Sequence, residues 1–184
     1  MPAELRSFTQ LTPVRQTIID LYTEVRADLL HLPNYRIEAF SERLDRHGSE
    51  PGWQVVIAYA DHLPVGYAYA NTVAPDDRWW KRMNPPAPDD YTCAPAVALK
   101  EIMVSAPWRG TGTALSIHDE LLAPRSEMYV SLLVNPVAGE GKVQALYESW
   151  GYRKFSQQQP SPDSPVLVAM IRERAPQVSS AGTA

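Results

Sequence analysis

Residues 101–122 read EIMVSAPWRGTGTALSIHDELL, and this stretch decides the fold. It completes an apolar run at 97–104 (VALKEIMV), turns through Arg109, Gly110, Thr111 and Gly112, and enters a segment, 112–122, with helical spacing that Pro124 stops. A strand that passes through glycines directly into a helix leaves the first helical amides unpaired, with the positive end of the helix dipole behind them. Such a helix start suits a phosphate or pyrophosphate, and glycine at 110 and 112 lets backbone approach the anion with no Cβ in the way. A short Gly-x-Gly is also a common plain connector, and on these residues alone both readings stand.

Two nucleotide motifs fit less well. A P-loop requires Lys then Ser or Thr after its second glycine, where this chain has Thr113 and Ala114. A dinucleotide fingerprint requires a third glycine and an early parallel unit.

Working outward, residues 53–60 (WQVVIAYA) and 65–73 (VGYAYANTV) are rich in β-branched and aromatic side chains. The short connection of Asp61, His62, Leu63 and Pro64 makes them an antiparallel hairpin. Before them, Val14, Ile18, Leu21, Tyr22, Val25, Leu29 and Leu30 keep the rhythm of a helix over 13–30, with Thr12 as cap and Pro13 in the first turn. Ile37, Phe40 and Leu44 predict a second helix over 35–46 that Gly48 ends, and residues 4–10 give a weak first strand. After the glycine turn come a strand at 128–134 (MYVSLLV), a helix at 141–150, and strands at 152–155 and 166–171. The expectation is a mixed, mostly antiparallel α/β sheet of about six to seven strands with about four helices on its two faces. The chain has no internal repeat.

The 184 residues make one domain, expected over 1–174, with 175–184 as a small, polar, frayed tail. At this length a core needs no disulfide or structural metal, and the lone Cys93 forms no internal bridge. Seventeen Lys and Arg against 21 Asp and Glu, a net charge of −4 with no long block of either sign, argue against nucleic acid as partner. With no apolar run of membrane-spanning length and no leader pattern, the expectation is a cytoplasmic protein that does not engage a membrane. Proline is the outlier, 17 residues, and Pro75, Pro85, Pro86, Pro88 and Pro95 fall close together. No regular structure is expected through 75–95.

The glycine turn resembles the central motif of the GNAT superfamily of N-acetyltransferases. That pattern is an apolar strand ending in valine, about four intervening residues, then Arg or Gln, any two, Gly, any one, and Gly or Ala. Here it is Val104, Arg109, Gly112 and Ala114, with Trp108 at the family's usual aromatic. Residues 145–152 (ALYESWGY) resemble the family's later helix with its Leu-Tyr pair and Gly-aromatic exit. The resemblance covers roughly residues 4–172 and implies the GNAT fold, in which two neighbouring parallel strands, here 97–104 and 128–134, splay apart.

What the resemblance implies for the site is specific. Acetyl-CoA, as co-substrate and with no metal, would bond the backbone of Ile102, Met103 and Val104. Its pyrophosphate would lie on Gly110, Thr111, Gly112, Thr113, Ala114 and Leu115, with Arg109 at the turn. Tyr147 would protonate the departing thiolate, or else simply pack in the core. Glu101 would take a proton from the acceptor amine, unless it pairs with Lys100. The implied activity is transfer of an acetyl group to a primary amine by direct attack.

Some relatives carry a base where this chain has Leu133. Their helix-preceding Asn is Glu140 here, the alanine that follows it is Val143, and an extra stretch, 135–139, offers Asn135 for part of the missing role. These departures motivate an alternative, a weak or inactive module that binds acyl-CoA in a regulatory role. The proline-rich segment would border the acceptor, a small-molecule or peptide amine, with Trp79, Trp80 and Tyr91 lining an apolar pocket or capping the core edge. Lys81 and Arg82 would favour an acidic group on that acceptor. Dimers are common in the family, so a homodimer is an expectation. His118 reads as a half-exposed surface residue and Cys93 as inert.

Overall fold

The computed structural model of the chain describes residues 3–162 and 164–174. Its elements run β1 (Glu4–Phe8), α1 (Arg15–Val25), α2 (Ile37–Gly48), β2 (Gln54–Ala60), β3 (Leu63–Val73), α3 (Arg78–Lys81), α4 (Asp89–Thr92), β4 (Ala96–Val104), α5 (Thr113–Leu122), β5 (Tyr129–Val134), α6 (Lys142–Ser149), β6 (Arg153–Gln158) and β7 (Leu167–Glu173). The strands form one sheet ordered β1-β2-β3-β4-β5-β7-β6. Every neighbouring pair is antiparallel except β4 and β5. The expected tail at 175–184 lies outside the described residues.

Strand alternation sorts the side chains of β2 and β3 onto two faces. Val55, Ile57, Tyr67 and Tyr69 pack with Ile18, Leu21 and Tyr22 of α1 and Phe40 and Leu44 of α2. Val56, Ala58, Ala68 and Ala70 point the other way, against Ile117 and Leu121 of α5. The difference in size has a reason: alanines on that face let α5 lie close to the sheet. Gly66 shows the limit, because a Cβ there would come within 2.8 Å of the Met103 carbonyl oxygen and 3.2 Å of Ile117. On the opposite face the rings of Tyr22 and Phe40 stack at 3.7 Å, joining α1 to α2.

Four local expectations change. Thr12 and Pro13 stand outside α1, whose cap is Val14 with no side-chain bond; the Val14 amide instead closes a turn onto the Leu11 carbonyl at 3.0 Å. The hairpin turn is only Asp61 and His62, both at positive φ as a two-residue turn requires, and Leu63 and Pro64 already belong to β3. The proline-rich segment is not wholly irregular: α3 and α4 are single turns between the prolines, and the Asp77 carboxylate caps α3 by accepting from the Trp79 amide. β6 runs to Gln158, further than its apolar residues suggest, because an edge strand needs little apolar patterning.

Candidate active site

β4 and β5 pair only at Val97–Val130, Ala98–Ser131 and Leu99–Leu132. Beyond Leu99 the strands part, while the other edge of β4 stays on β3 from Glu101 opposite Tyr69 to Val104 opposite Gly66. The backbone of residues 100–104 is thus left with one unpaired edge, whose polar groups call for a partner.

A bulge in β4 sets what faces that gap. Tyr69 opposes Glu101 and Ala70 opposes Leu99, so Lys100 is the extra residue. Val97 and Leu99 lie on the α5 face before it, and Ile102 and Val104 lie on that face after it. The alternation is therefore reset at Lys100, and two adjacent charged residues, Lys100 and Glu101, both project to the α1/α2 side.

They enter a cleft of about 380 Å³ between α1, α2, the segment after β3 and the β6–β7 connection. Glu101, its side chain 16% exposed, faces Arg26 at 4.0 Å. Burial raises its pKa above the ordinary glutamate value, with Arg43 and Arg26 opposing. Lys100 does not pair with Glu101: its Nζ lies 3.6 Å from Glu50 and 4.5 Å from the centre of the Trp79 ring. Burial lowers its pKa, against the pull of Glu50 and Asp77.

At the other end of β4 the glycine turn takes the expected form. Gly110 and Gly112 have φ of 74° and 87°, and a Cβ on either would meet nothing within 4 Å, so glycine serves the backbone conformation rather than space. The Arg109 Nε donates to the Val104 carbonyl at 3.4 Å and the Thr111 hydroxyl to the Trp108 carbonyl at 2.8 Å, holding the loop against the strand end. No side chain caps α5. The Ser116 amide reaches Gly112, leaving the amides of Thr113, Ala114 and Leu115 ahead of the first helical bond. An open strand edge at 102–104 and open amides at 113–115 fit the two polar parts of a CoA molecule, its amide-bearing arm and its pyrophosphate.

Tyr147 on α6 is 8% exposed and packs edge-on against Trp150 at 5.5 Å and Tyr152 at 5.8 Å. Its hydroxyl makes no hydrogen bond among the described residues, and burial, reinforced by the charge of Glu101, raises its pKa. A phenol so placed stays protonated at neutral pH, as a proton donor must.

Other sequence candidates divide. Trp79, Leu133 and Asn135 line the cleft. The Trp79 indole donates to the buried Ser131 hydroxyl at 3.2 Å, and the Asn135 side chain accepts from the Val137 amide at 3.2 Å. Trp80 turns into a small core with Phe155, and Tyr91 packs on Tyr129 and Phe155 while accepting from Arg153, so neither lines the cleft. Glu140 is exposed beside Lys142. Arg82 lines the cleft, whereas Lys81 is exposed outside it. Cys93 is exposed, its thiol donating to the Asp90 carbonyl. His118 is a correction: it is fully buried, with Nδ1 at 2.9 Å from Asp119 and Nε2 at 2.8 Å from the Tyr152 hydroxyl, because its helix position faces Trp150 and Tyr152. Burial lowers its pKa.

Sequence reasoning pointed to Arg82 but missed the cleft's other arginines, Arg26, Arg43, Arg46 and Arg78, and Gln158. The apolar stripes of α1 and α2 carry no signal for Arg26 and Arg43, which reach the cleft only through the tertiary arrangement of the helices. The signal for the bulge was present as the adjacent polar pair in VAL-KE-IMV, where strict alternation would have separated them.

No protein-family model matches the chain, and no curated protein matches its sequence. Solved structures match its fold. A structure described as histone acetyltransferase HPA2 and related acetyltransferase, from Corynebacterium glutamicum, aligns over 97% of this chain and 100% of its own, with a TM-score of 0.64 at 18% identity. An acetyltransferase of the GNAT family from Desulfovibrio desulfuricans aligns over 93% and 98%, with a TM-score of 0.64 at 13% identity. The PaiA N-acetyltransferase of Thermoplasma acidophilum, solved with coenzyme A, aligns over 93% and 99%, with a TM-score of 0.56 at 12% identity. The chain has the fold of the GNAT acetyltransferases.

Proposed function

We propose that the protein is an N-acetyltransferase that moves an acetyl group from acetyl-CoA to a primary amine bound in the cleft. The observation that carries this is the β4–β5 splay: one strand bears an unpaired edge at 102–104, runs into the open amides of α5, and carries Glu101 on the face of the cleft. That solved relatives of the same fold are acetyltransferases, one with coenzyme A bound, supports the reading.

The thioester of acetyl-CoA supplies an acyl carbon open to direct attack. Backbone groups of Ile102, Met103 and Val104 hold the arm of the co-substrate along β4, and the Arg109-to-Leu115 turn holds its pyrophosphate. This fixes the thioester where the strands part, making transfer an oriented displacement. Glu101 removes a proton from the acceptor amine, and its raised pKa brings it nearer the working pH than an ordinary glutamate. Tyr147 gives its phenolic proton to the leaving sulfur. Asn135 and Trp79 line the cleft that takes the acceptor. No helix among the described residues is long and apolar enough to cross a membrane, and we take the protein to act in the cytoplasm.

The test is release of CoA thiol from acetyl-CoA when a panel of amines is added to the purified protein. Turnover with at least one amine is expected. Tight acetyl-CoA binding without turnover across the panel would favour the regulatory alternative instead.

A further inference from the structure

The charge of the cleft bears on which amine it takes, an inference that rests on the acetyltransferase reading above. The chain carries a net −4, yet Arg26, Arg43, Arg46, Arg78, Arg82 and Lys100 line the cleft against only Glu50, Asp77 and Glu101. Two of those carboxylates are already engaged, Glu50 with Lys100 at 3.6 Å and Asp77 with the Trp79 amide at 2.7 Å, while Glu101 lies 4.0 Å from Arg26 without a hydrogen bond to it and stays open to the amine. Among the described residues no carboxylate lies within ion-pair distance of Arg43, Arg46, Arg78 or Arg82.

A second observation comes from the opposite wall. Gln158 is 6% exposed and lines the cleft, and its Oε1 has no hydrogen-bond partner among the described residues. A buried amide oxygen without a donor is unfavourable unless a ligand supplies one. The Nε of Arg26 is likewise buried and unpartnered, a donor without an acceptor. The field of the cations is also felt locally, since burial first and then Lys100, Arg46, Arg43 and Arg78 lower the pKa of His47 to about 3.

We infer that the acceptor is a small zwitterionic amine, of amino-acid to dipeptide size, that also carries a carboxylate or phosphate group. The arginines take its anionic oxygens, and Gln158 with Glu101 takes the N–H groups of its amine. Planar guanidinium forks match either oxyanion. The volume of about 380 Å³ suits a small molecule.

Matched pairs of amines test this: tyramine against tyrosine and putrescine against ornithine for the carboxylate, and ethanolamine against phosphoethanolamine for the phosphate. Each is titrated by calorimetry into protein saturated with CoA and assayed for acetylation with acetyl-CoA. In at least one pair the anionic member should bind about tenfold tighter or better, and the advantage should shrink with added salt. The double variant Arg78→Gln with Arg82→Gln, both exposed positions, should lose most of that preference. Acetyl-CoA affinity on the same samples reports whether the fold and the co-substrate cleft are intact. Members without the anionic group binding as well as or better than their partners in every pair, or no member binding at all, overturns the inference. Binding of the anion-bearing member without acetyl transfer leaves it standing and removes the acetyltransferase reading, whereas transfer to amines that lack the anion, with no gain from adding it, does the reverse.

Discussion

Replacing Tyr147 by phenylalanine removes one oxygen and leaves the ring. The ring contacts with Trp150 and Tyr152, at 5.5 and 5.8 Å, survive the change, and the lost hydroxyl makes no hydrogen bond among the described residues. Folding stability should therefore move by no more than about 0.5 kcal/mol, since no bond is broken and no cavity of consequence is left. The reaction should respond very differently. A general acid contributes typically 10²- to 10⁴-fold, so the barrier should rise by about 2.7 to 5.4 kcal/mol if this phenol protonates the leaving sulfur. The assay is kcat from CoA thiol release at saturating acetyl-CoA and amine, with a thermal melt of the same preparations. A fall of about a hundredfold or more in kcat with an unchanged melting temperature supports the role. A kcat within about threefold of wild type, with the melt equally unchanged, refutes it, since the fold is then intact and the phenol unnecessary.

Further outcomes follow from other parts of the site. Glu101 acts when deprotonated and burial raises its pKa, so kcat/KM should rise with pH along a limb lying above the ordinary glutamate range; Glu101→Gln should abolish that limb and lower the rate by about 10²- to 10⁴-fold in a pH–rate profile. Gly112→Ala forces a Cβ onto a residue at φ of 87°, a strain of about 1–2 kcal/mol, so calorimetry should show acetyl-CoA binding weakened by about fivefold to thirtyfold. Gly66→Ala drives a Cβ to 2.8 Å from a backbone oxygen and against Ile117, and chemical denaturation should report a loss of about 1–3 kcal/mol.

The legible parts of this protein were those where local chemistry and tertiary environment agree. The strand, glycine turn and helix at 97–122 were readable because the apolar run, two glycines at positive φ and Pro124 all mark the same boundaries. The arrangement of Tyr67 and Tyr69 against Ala68 and Ala70 shows equally directly that β3 is covered on both faces. Where a residue's neighbours come from distant sequence, the reading failed. His118 looked polar and surface-bound on its own helix, but Trp150, just after α6, and Tyr152 close over it. Trp79 and Trp80 are adjacent and chemically alike, yet one lines the cleft and the other fills a core, a choice made by the single turn of α3. Gln158 lies in a polar run at the sheet's edge, and its burial goes with the segment after β3 crossing β6, where the Asn84 amide donates to the Gln157 carbonyl at 2.8 Å and the Ser156 hydroxyl to the Pro85 carbonyl, rather than with its own preference.

The central claim is direct acetyl transfer at the parting of β4 and β5, and a single-turnover experiment with acetyl-labelled acetyl-CoA tests it most directly. Protein preloaded with the labelled compound, mixed with a zwitterionic amine and quenched at intervals, should place label on the amine in one phase, in step with CoA release, and never on the denatured protein. Label retained covalently on the chain, or bound acetyl-CoA that passes no label to any amine, would contradict it.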